Sequence, residues 1–310
     1  MKITLSRFAG AAMIFAVLTM VATGVANAQP PKCSNTITAC GCTIGAPGNY
    51  EVANELYASQ GLTVKNGCID IEGQDINLYA AENLIGPGSS SDCNSAKPHL
   101  NFGVGIHVLP GAANVSVYLN GNDYDVCGWN YGIESEGRNV NFYYPGAYVN
   151  NVGILLNNAT NNDCLDCYTA CNVTGLEISG GSGNQINGGE SYCNSQYGYW
   201  IAGSKENILD GNEPTYNKIA GIYLGCSATG DVTPAIPCST PTTGNSLLGN
   251  FAEYNGKYGI AVEQKSIENQ IQENGAYYDS KDDFIDGNGN CIYNQYLYNG
   301  YNTKSPKCIQ

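Results

Sequence analysis

Seven dipeptides of one kind, Gly105-Ile106, Gly132-Ile133, Gly153-Ile154, Gly175-Leu176, Gly198-Tyr199, Gly221-Ile222 and Gly259-Ile260, recur at spacings of 27, 21, 22, 23, 23 and 38 residues. A period near 22 constrains the fold more than any single residue does, because one supersecondary unit must then be repeated and stacked. The long last interval contains Cys226 to Thr243, a Pro- and Thr-rich stretch that reads as a loop inserted into one repeat. Further anchors follow most of the glycines, at Asn114-Val115, Asn139-Val140, Asn184-Gln185-Ile186, Asn207-Ile208 and Asn269-Gln270-Ile271. Pairs of turn residues five apart, such as Asn212 and Asn217 or Asn250 and Asn255, complete the unit.

Each repeat thus holds three apolar segments of three to five residues between Gly or Asn corners. Such segments are too short for helices and are rich in β-branched and aromatic residues, so they read as strands. At the corners, Asn and Gly supply the left-handed backbone that tight turns require. Three short strands cannot bury their own apolar face and must stack on copies of themselves, about 4.8 Å apart. The expectation is an all-β, disulfide-rich parallel β-helix of roughly eight to ten coils over residues 60–300, with the 226–243 loop projecting from it. A cysteine-rich segment at 29–59 should cap one end, because an open sheet edge invites pairing with other chains; residues 301–310 form a tail. The Leu-x-x-Leu-x-Leu frame of leucine-rich repeats is missing, and a β-sandwich would not repeat one Gly-Ile anchor.

Charge narrows the partners. Thirteen Lys and Arg against 27 Asp and Glu give a net charge of −14, so no basic face for nucleic acid can be assembled. Lys2 and Arg7, the apolar run Ala9 to Val25 and Ala26-Asn27-Ala28 have the three-part order of a secretory signal peptide over 1–28, which implies a secreted or periplasmic protein with no membrane span after cleavage. The 14 cysteines, an even number, then read as disulfides. Cys226 with Cys238 would pin the inserted loop, and Cys291 with Cys308 would tie the tail to the last coil. Cys171 and Cys193 stand one coil apart, each before a corner asparagine, and are expected to stack as a third pair. The spacing of Cys164, Cys167 and Cys171 also fits a zinc site, which an oxidising compartment disfavours.

The run Cys40-Gly41-Cys42-Thr43-Ile44, then Asn66-Gly67-Cys68-Ile69-Asp70-Ile71, Gly103-Val104-Gly105-Ile106-His107-Val108, the repeats, and Asp282-Asp283-Phe284-Ile285-Asp286-Gly287-Asn288 resemble secreted right-handed parallel β-helix proteins of the pectin-lyase-like fold, with NosD-like proteins among the branches. The resemblance covers most of residues 33–310 and implies that fold. It also implies a polysaccharide partner, since such enzymes work on uronate glycans with a basic residue as proton acceptor and cations against the carboxylate. Arg138, the one arginine left after leader removal, is the candidate base; with Glu134 and Glu136 beside it, a surface ion pair is the plainer account. Related polygalacturonases set three carboxylates over the scissile bond, and Asp282-Asp283 matches one of their elements.

Adjacent strand residues point to opposite faces, so Asp282 and Asp283 need Asp279 or Asp286 to complete an acid and base. Asp283 also occupies the place that other coils give to the anchoring glycine, which favours a corner role. No cofactor is required, but Asp282, Asp283 and Asp286, with Asp279 near, would suit calcium. His107 alternates with Ile106 and is expected on the outer surface, as a strand residue more than a general base. Two histidines and no methionine after the leader argue against copper. Many of the 23 tyrosines recur in stackable register, as a ladder or as a platform for sugar rings. Three function classes follow: a polysaccharide-binding protein first, a lyase, hydrolase or epimerase acting on a uronate-containing glycan second, and a structural envelope protein third.

Overall fold

The structure, a computed structural model, describes residues 30–58, 67–81, 84–87, 93, 103–121, 125–233 and 239–310. The proposed leader, His99 and Cys238 lie outside the described residues. Every strand pairing is parallel, and each strand pairs with its equivalents one repeat earlier and later. The result is an all-β solenoid of about ten coils with three faces. Sheet 1 contains eleven described strands, running from Cys42–Ile44 through Val104–Val108, Tyr131–Ser135, Val152–Asn157, Thr174–Ser179 and Tyr197–Ala202 to Lys304–Ser305. Sheet 2 also contains eleven, from Thr36–Ile37 to Gln295–Leu297, and sheet 3 contains ten, from Leu56–Ala58 to Gly300–Tyr301.

The coil begins and ends further out than the sequence boundaries. Cys42–Ile44, Gly48–Val52 and Leu56–Ala58 already belong to the three sheets, so the cysteine-rich segment is itself the first coil. Its pairing with the next coil is as regular as that of later ones, because Ile44 and Val52 are spaced to face inward like any other repeat. At the other end, Lys304–Ser305 extends sheet 1 past residue 300.

Inside, like stacks on like. Ile69, Ile106, Ile133, Ile154, Leu176, Tyr199, Ile222, Ile260 and Phe284 form one buried column beneath sheet 1. Each aliphatic member contributes about 1.5–3 kcal/mol relative to exposure. The anchoring glycines are explained at the adjacent position: a Cβ on Gly132, Gly153, Gly175 or Gly198 would sit 2.6 Å from the carbonyl oxygen of the next coil's glycine.

Three buried asparagine ladders close the corners. In one, the backbone N–H groups of Asn150, Asn172, Asn194 and Asn217 each donate to the Oδ1 of the next asparagine, at 2.8–3.1 Å, ending on Asn255. Their side-chain amides donate to the same oxygens. The left-handed backbone expected of these asparagines belongs instead to the residue before each: Val149, Cys171, Cys193, Tyr216 and Tyr254 have φ between 54° and 58°. The amide must point inward to bond its neighbour, so the preceding residue takes the turn and points out. Asn114 and Asn139 belong to that left-handed slot, one residue short of the ladder.

Among the described cysteines, disulfides join Cys33 to Cys42, Cys40 to Cys68, Cys93 to Cys127, Cys164 to Cys167 and Cys291 to Cys308. Cross-links in this number fit an oxidising compartment. Cys226 is disulfide-bonded. The Cys164–Cys167 bond takes two thiols from the zinc reading. Cys171 does stand over Cys193, since Ala170 pairs with Tyr192, yet no bond joins the two. Equivalent Cβ atoms in a parallel stack keep the strand spacing of about 4.8 Å, whereas a disulfide draws them to about 3.8 Å.

Candidate functional site

The residue after each anchor's apolar member points out of sheet 1, and the register lines these residues up in a row. Asp70 pairs with His107, His107 with Glu134, Glu134 with Leu155, Leu155 with Glu177, Glu177 with Trp200, and Trp200 with Tyr223. Ala261 and Ile285 continue it. Polar groups thus occupy the early coils and aromatic or aliphatic groups the later ones.

His107 does lie on the outer face, but it is only 7% exposed. Its Nδ1 is 3.5 Å from Asp70 Oδ1 and has no hydrogen-bond partner; that oxygen already accepts the Gly67 N–H at 2.8 Å. Its Nε2 is 3.4 Å from Glu136 Oε2 and 3.8 Å from Glu134 Oε2. Burial alone would lower the imidazole pKa, but hydrogen bonding toward Asp70, the charges of Glu134 and Asp70, and Glu136 outweigh it and hold the group above its ordinary value. Burial raises Glu134, against the opposing pull of Asn157 and His107. The Asn157 amide donates to Glu134 Oε1 at 3.1 Å and to Glu136 Oε1 at 3.3 Å. One side chain therefore holds both carboxylates with their other oxygens turned to His107. Among the described residues, His107, Glu134 and Glu136 form the one group with the ligand types and spacing to hold a metal ion.

Further along the row, Glu177 and Trp200 line a pocket of about 690 Å³ with Asn158, Ser179, Lys205 and Thr240. Burial pushes the Glu177 carboxyl up to about 7. The inserted loop makes one wall of the pocket, through Cys226, Ser239 and Thr240. Trp200 Nε1 donates to the Gly225 carbonyl at 2.6 Å. The Glu263 carboxylate accepts the backbone N–H groups of Cys226 and Ser227, and the Tyr223 hydroxyl shares its one proton between that carboxylate and the Asp231 carbonyl. Val232 packs on Tyr197, Tyr223, Tyr258 and Ala261, so the loop covers the apolar half of the face. Tyr131 is raised first by burial and then by the charge of Glu134, and more weakly by that of Glu177, which places its phenol within electrostatic reach of both.

The acidic C-terminal residues do not converge on one site. Asp279 fills an asparagine slot: its Oδ1 accepts the Asn255 N–H, its Oδ2 is buried without a partner, and burial pushes its carboxyl up to about 8. Asp283 stands in the anchor position, accepting the N–H groups of Asp279, Asn302 and Thr303. Asp286 is buried against Asn288, Asn294 and Tyr296. Asp282, like Asp279, is partly exposed, and it stands across from Tyr258. The oxygens of Asp283 and Asp286 are thus spent on separate backbone and side-chain partners rather than turned toward one another. Arg138 is exposed on sheet 2, while Glu134 and Glu136 face His107 rather than Arg138.

The tyrosines form ladders. Tyr216, Tyr254 and Tyr278 stack with ring centroids 5.3 and 5.0 Å apart, and Tyr79, Tyr118 and Tyr143 at 4.8 and 4.7 Å. Within each ladder the stacked ring faces cover one another, which accounts for the ladders as sheet-surface stacking.

Sequence reasoning missed the row as a site, although its signal was present. Aligning Asp70, His107, Glu134 and Glu177 by their position after the anchor puts them on one outward line; reading each within its own segment does not.

No protein-family pattern matches the sequence, and no curated protein is significantly similar to it. Solved structures do superpose on it. A pectate lyase, Pel9A, aligns over 88% of this chain and 70% of its own, at 15% identity and a TM-score of 0.51. The Dettilon tailspike protein aligns over 85% of this chain, at 13% identity and a TM-score of 0.52; the aligned part is 60% of that tailspike's length. The enzymatically active domain of tailspike protein 2 from bacteriophage CBA120 gives 15% identity and a TM-score of 0.50, over 86% of this chain and 45% of that one. These are right-handed parallel β-helix proteins, and this chain has that fold.

Proposed function

We propose that the protein takes a polysaccharide along the outer face of sheet 1 and hydrolyses it there. The observation that carries this reading is the pocket in which Glu177 and Trp200 stand as adjacent rungs, two coils from Glu134 on the same open face. An indole offers a face for a sugar ring, and a carboxyl that keeps its proton near pH 7 is suited to protonate a leaving oxygen. In the step, water attacks the anomeric carbon, the glycosidic C–O bond breaks, and the departing oxygen takes the Glu177 proton. The water's proton passes to the Glu134 carboxylate, two coils away. Two coils are roughly 10 Å, close to the 6.5–9.5 Å that inverting hydrolysis uses, and Leu155 leaves an apolar floor between. The names pectate lyase and tailspike active domain among the structural neighbours support a glycan substrate. Elimination is less well supported: among the described residues the row and its pocket carry four carboxylates, Asp70, Glu134, Glu136 and Glu177, against the basic groups His107 and Lys205, so the groove favours a neutral glycan over a uronate.

Reducing-end release should be measured over a panel of neutral and acidic glycans. The expected result is turnover of a neutral glycan with inversion, a pH profile falling as pH rises through about 7, and loss of at least about 100-fold in kcat for Glu177→Gln. Unsaturated products, or glycan binding without turnover that Glu177→Gln leaves unchanged, would overturn the hydrolytic reading.

A further inference from the structure

The polar end of the row has a geometry that the proton-donor role of Glu177 does not use. An imidazole 93% buried is loosely held: Nδ1 comes no nearer than 3.5 Å to Asp70, and Nε2 makes one long hydrogen bond, 3.4 Å to Glu136, with Glu134 at 3.8 Å, all beyond the 2.7–3.2 Å of a well-formed N–H···O bond. They match a different spacing. Ligands about 2.0–2.2 Å from a shared ion in a tetrahedral arrangement lie about 3.4 Å from one another. All three ligand atoms, His107 Nε2 and one oxygen each of Glu134 and Glu136, fall within 4.8 Å of each other. The surroundings also have the form of a metal site's outer shell, in which a carboxylate faces the second ring nitrogen and the ligating carboxylates are themselves hydrogen-bonded. Asp70 faces Nδ1, and the Asn157 amide occupies the Oε1 atoms of both glutamates, leaving both Oε2 atoms turned inward.

We propose that His107, Glu134 and Glu136 bind one divalent cation of the zinc kind, with Asp70 and Asn157 orienting the ligands. Two anionic oxygens facing Nε2 call for a positive charge between them, which either a proton on the ring or a bound cation supplies. Calcium is a poor occupant, since it takes six to eight oxygens, whereas imidazole with two carboxylates suits a borderline metal. Three protein ligands leave a fourth position open to water, the arrangement of reactive rather than purely structural zinc sites. The site rests on its own geometry and stands whether or not the groove takes a glycan.

Calorimetric titration of chelator-treated protein with Zn²⁺ at neutral pH tests this, with Ca²⁺ as a parallel arm and Cys171→Ser with Cys193→Ser as the background for all variants, because thiols also bind zinc. Expected are one saturable equivalent of zinc, none of calcium, and a tetrahedral Co²⁺ absorption spectrum. His107→Gln and Glu136→Gln should abolish uptake, Asn157→Ala should weaken it about 10–100-fold, and Glu177→Gln should leave it unchanged. Zinc-induced shifts of the His107 ring resonances in the unsubstituted protein provide a readout independent of how any variant folds. Uptake that survives His107→Gln, absence of saturable uptake, or His107 resonances that zinc leaves in place would show that the imidazole is only a buried ion pair, and would overturn the proposal. Activity is not read, so failure here is separable from failure of the hydrolytic reading.

Discussion

The corner ladders and the outer row of sheet 1 are both columns of buried polar side chains stacked at the coil spacing, yet they differ in completeness. From Asn150 to Asn217, each backbone N–H and each amide finds an acceptor one coil on. In the row, His107 Nδ1 has no partner, two carboxylates crowd Nε2, and Glu177 is pushed up to about 7 by burial. Buried polarity that is satisfied sets the architecture, whereas buried polarity left unsatisfied is tolerated where something else is to be bound. The row itself repeats the contrast: its apolar half is covered by Val232 of the inserted loop, while its polar half leads into the open pocket.

The strongest way to break this division is within a ladder. Asn194→Ala removes the acceptor of both the Asn172 backbone N–H and the Asn172 amide, leaving buried donors unsatisfied. It should cost about 3 kcal/mol in chemical denaturation without altering zinc uptake at His107. A cost below 1 kcal/mol would mean that the ladders are ornamental and the comparison empty.

A smaller effect, of opposite sign, is expected at the one flawed rung. Asp279 keeps its proton up to about pH 8 in the folded chain, against an ordinary value of 3.8, so the folded state holds that proton more tightly than the unfolded state does. Its contribution is complete below about pH 3.8 and is lost as pH rises through about 8. Asp279→Asn completes the ladder and should stabilise the protein by about 1–3 kcal/mol above pH 8, shown by melting curves across pH. Equal pH dependence in both proteins would count against the assignment.

The smallest effect sharpens the functional side. Glu177 obeys the same sign, its stabilising proton being present below about pH 4.5 and lost through about 7. Glu177→Gln should therefore gain about 1 kcal/mol above pH 7 while losing activity, the usual sign of a group kept at a stability cost for its chemistry. Loss of both stability and activity would instead mark it as structural.

How much could be read beforehand differs between these regions for one reason. The Gly-Ile period and the corner asparagines repeat identically, so their partners are copies of themselves, and the ladder slot of Asn172 and Asn194 follows from counting. Asp283 could likewise be read as a corner residue from its place in the register. The row is built from residues that differ at every coil, so no repeated letter announces it. His107 looks like an isolated surface residue until Asp70, 37 positions earlier, and Glu134, 27 later, are placed on either side.

The sequence by itself determined the parallel coil, its period, the stacking slots and the place of the insertion, because a repeat that cannot bury its own face has one solution, to stack. Tertiary structure alone decided which polar residues are shielded from water. Burial of His107 and Glu177 depends on the whole packed face, including a loop entering from a later coil, and their electrostatics follow from that burial rather than from residue type. The same dependence separated Asp279, Asp283 and Asp286, near neighbours in sequence, by giving each carboxylate its own backbone or side-chain partner in a different part of the last coils.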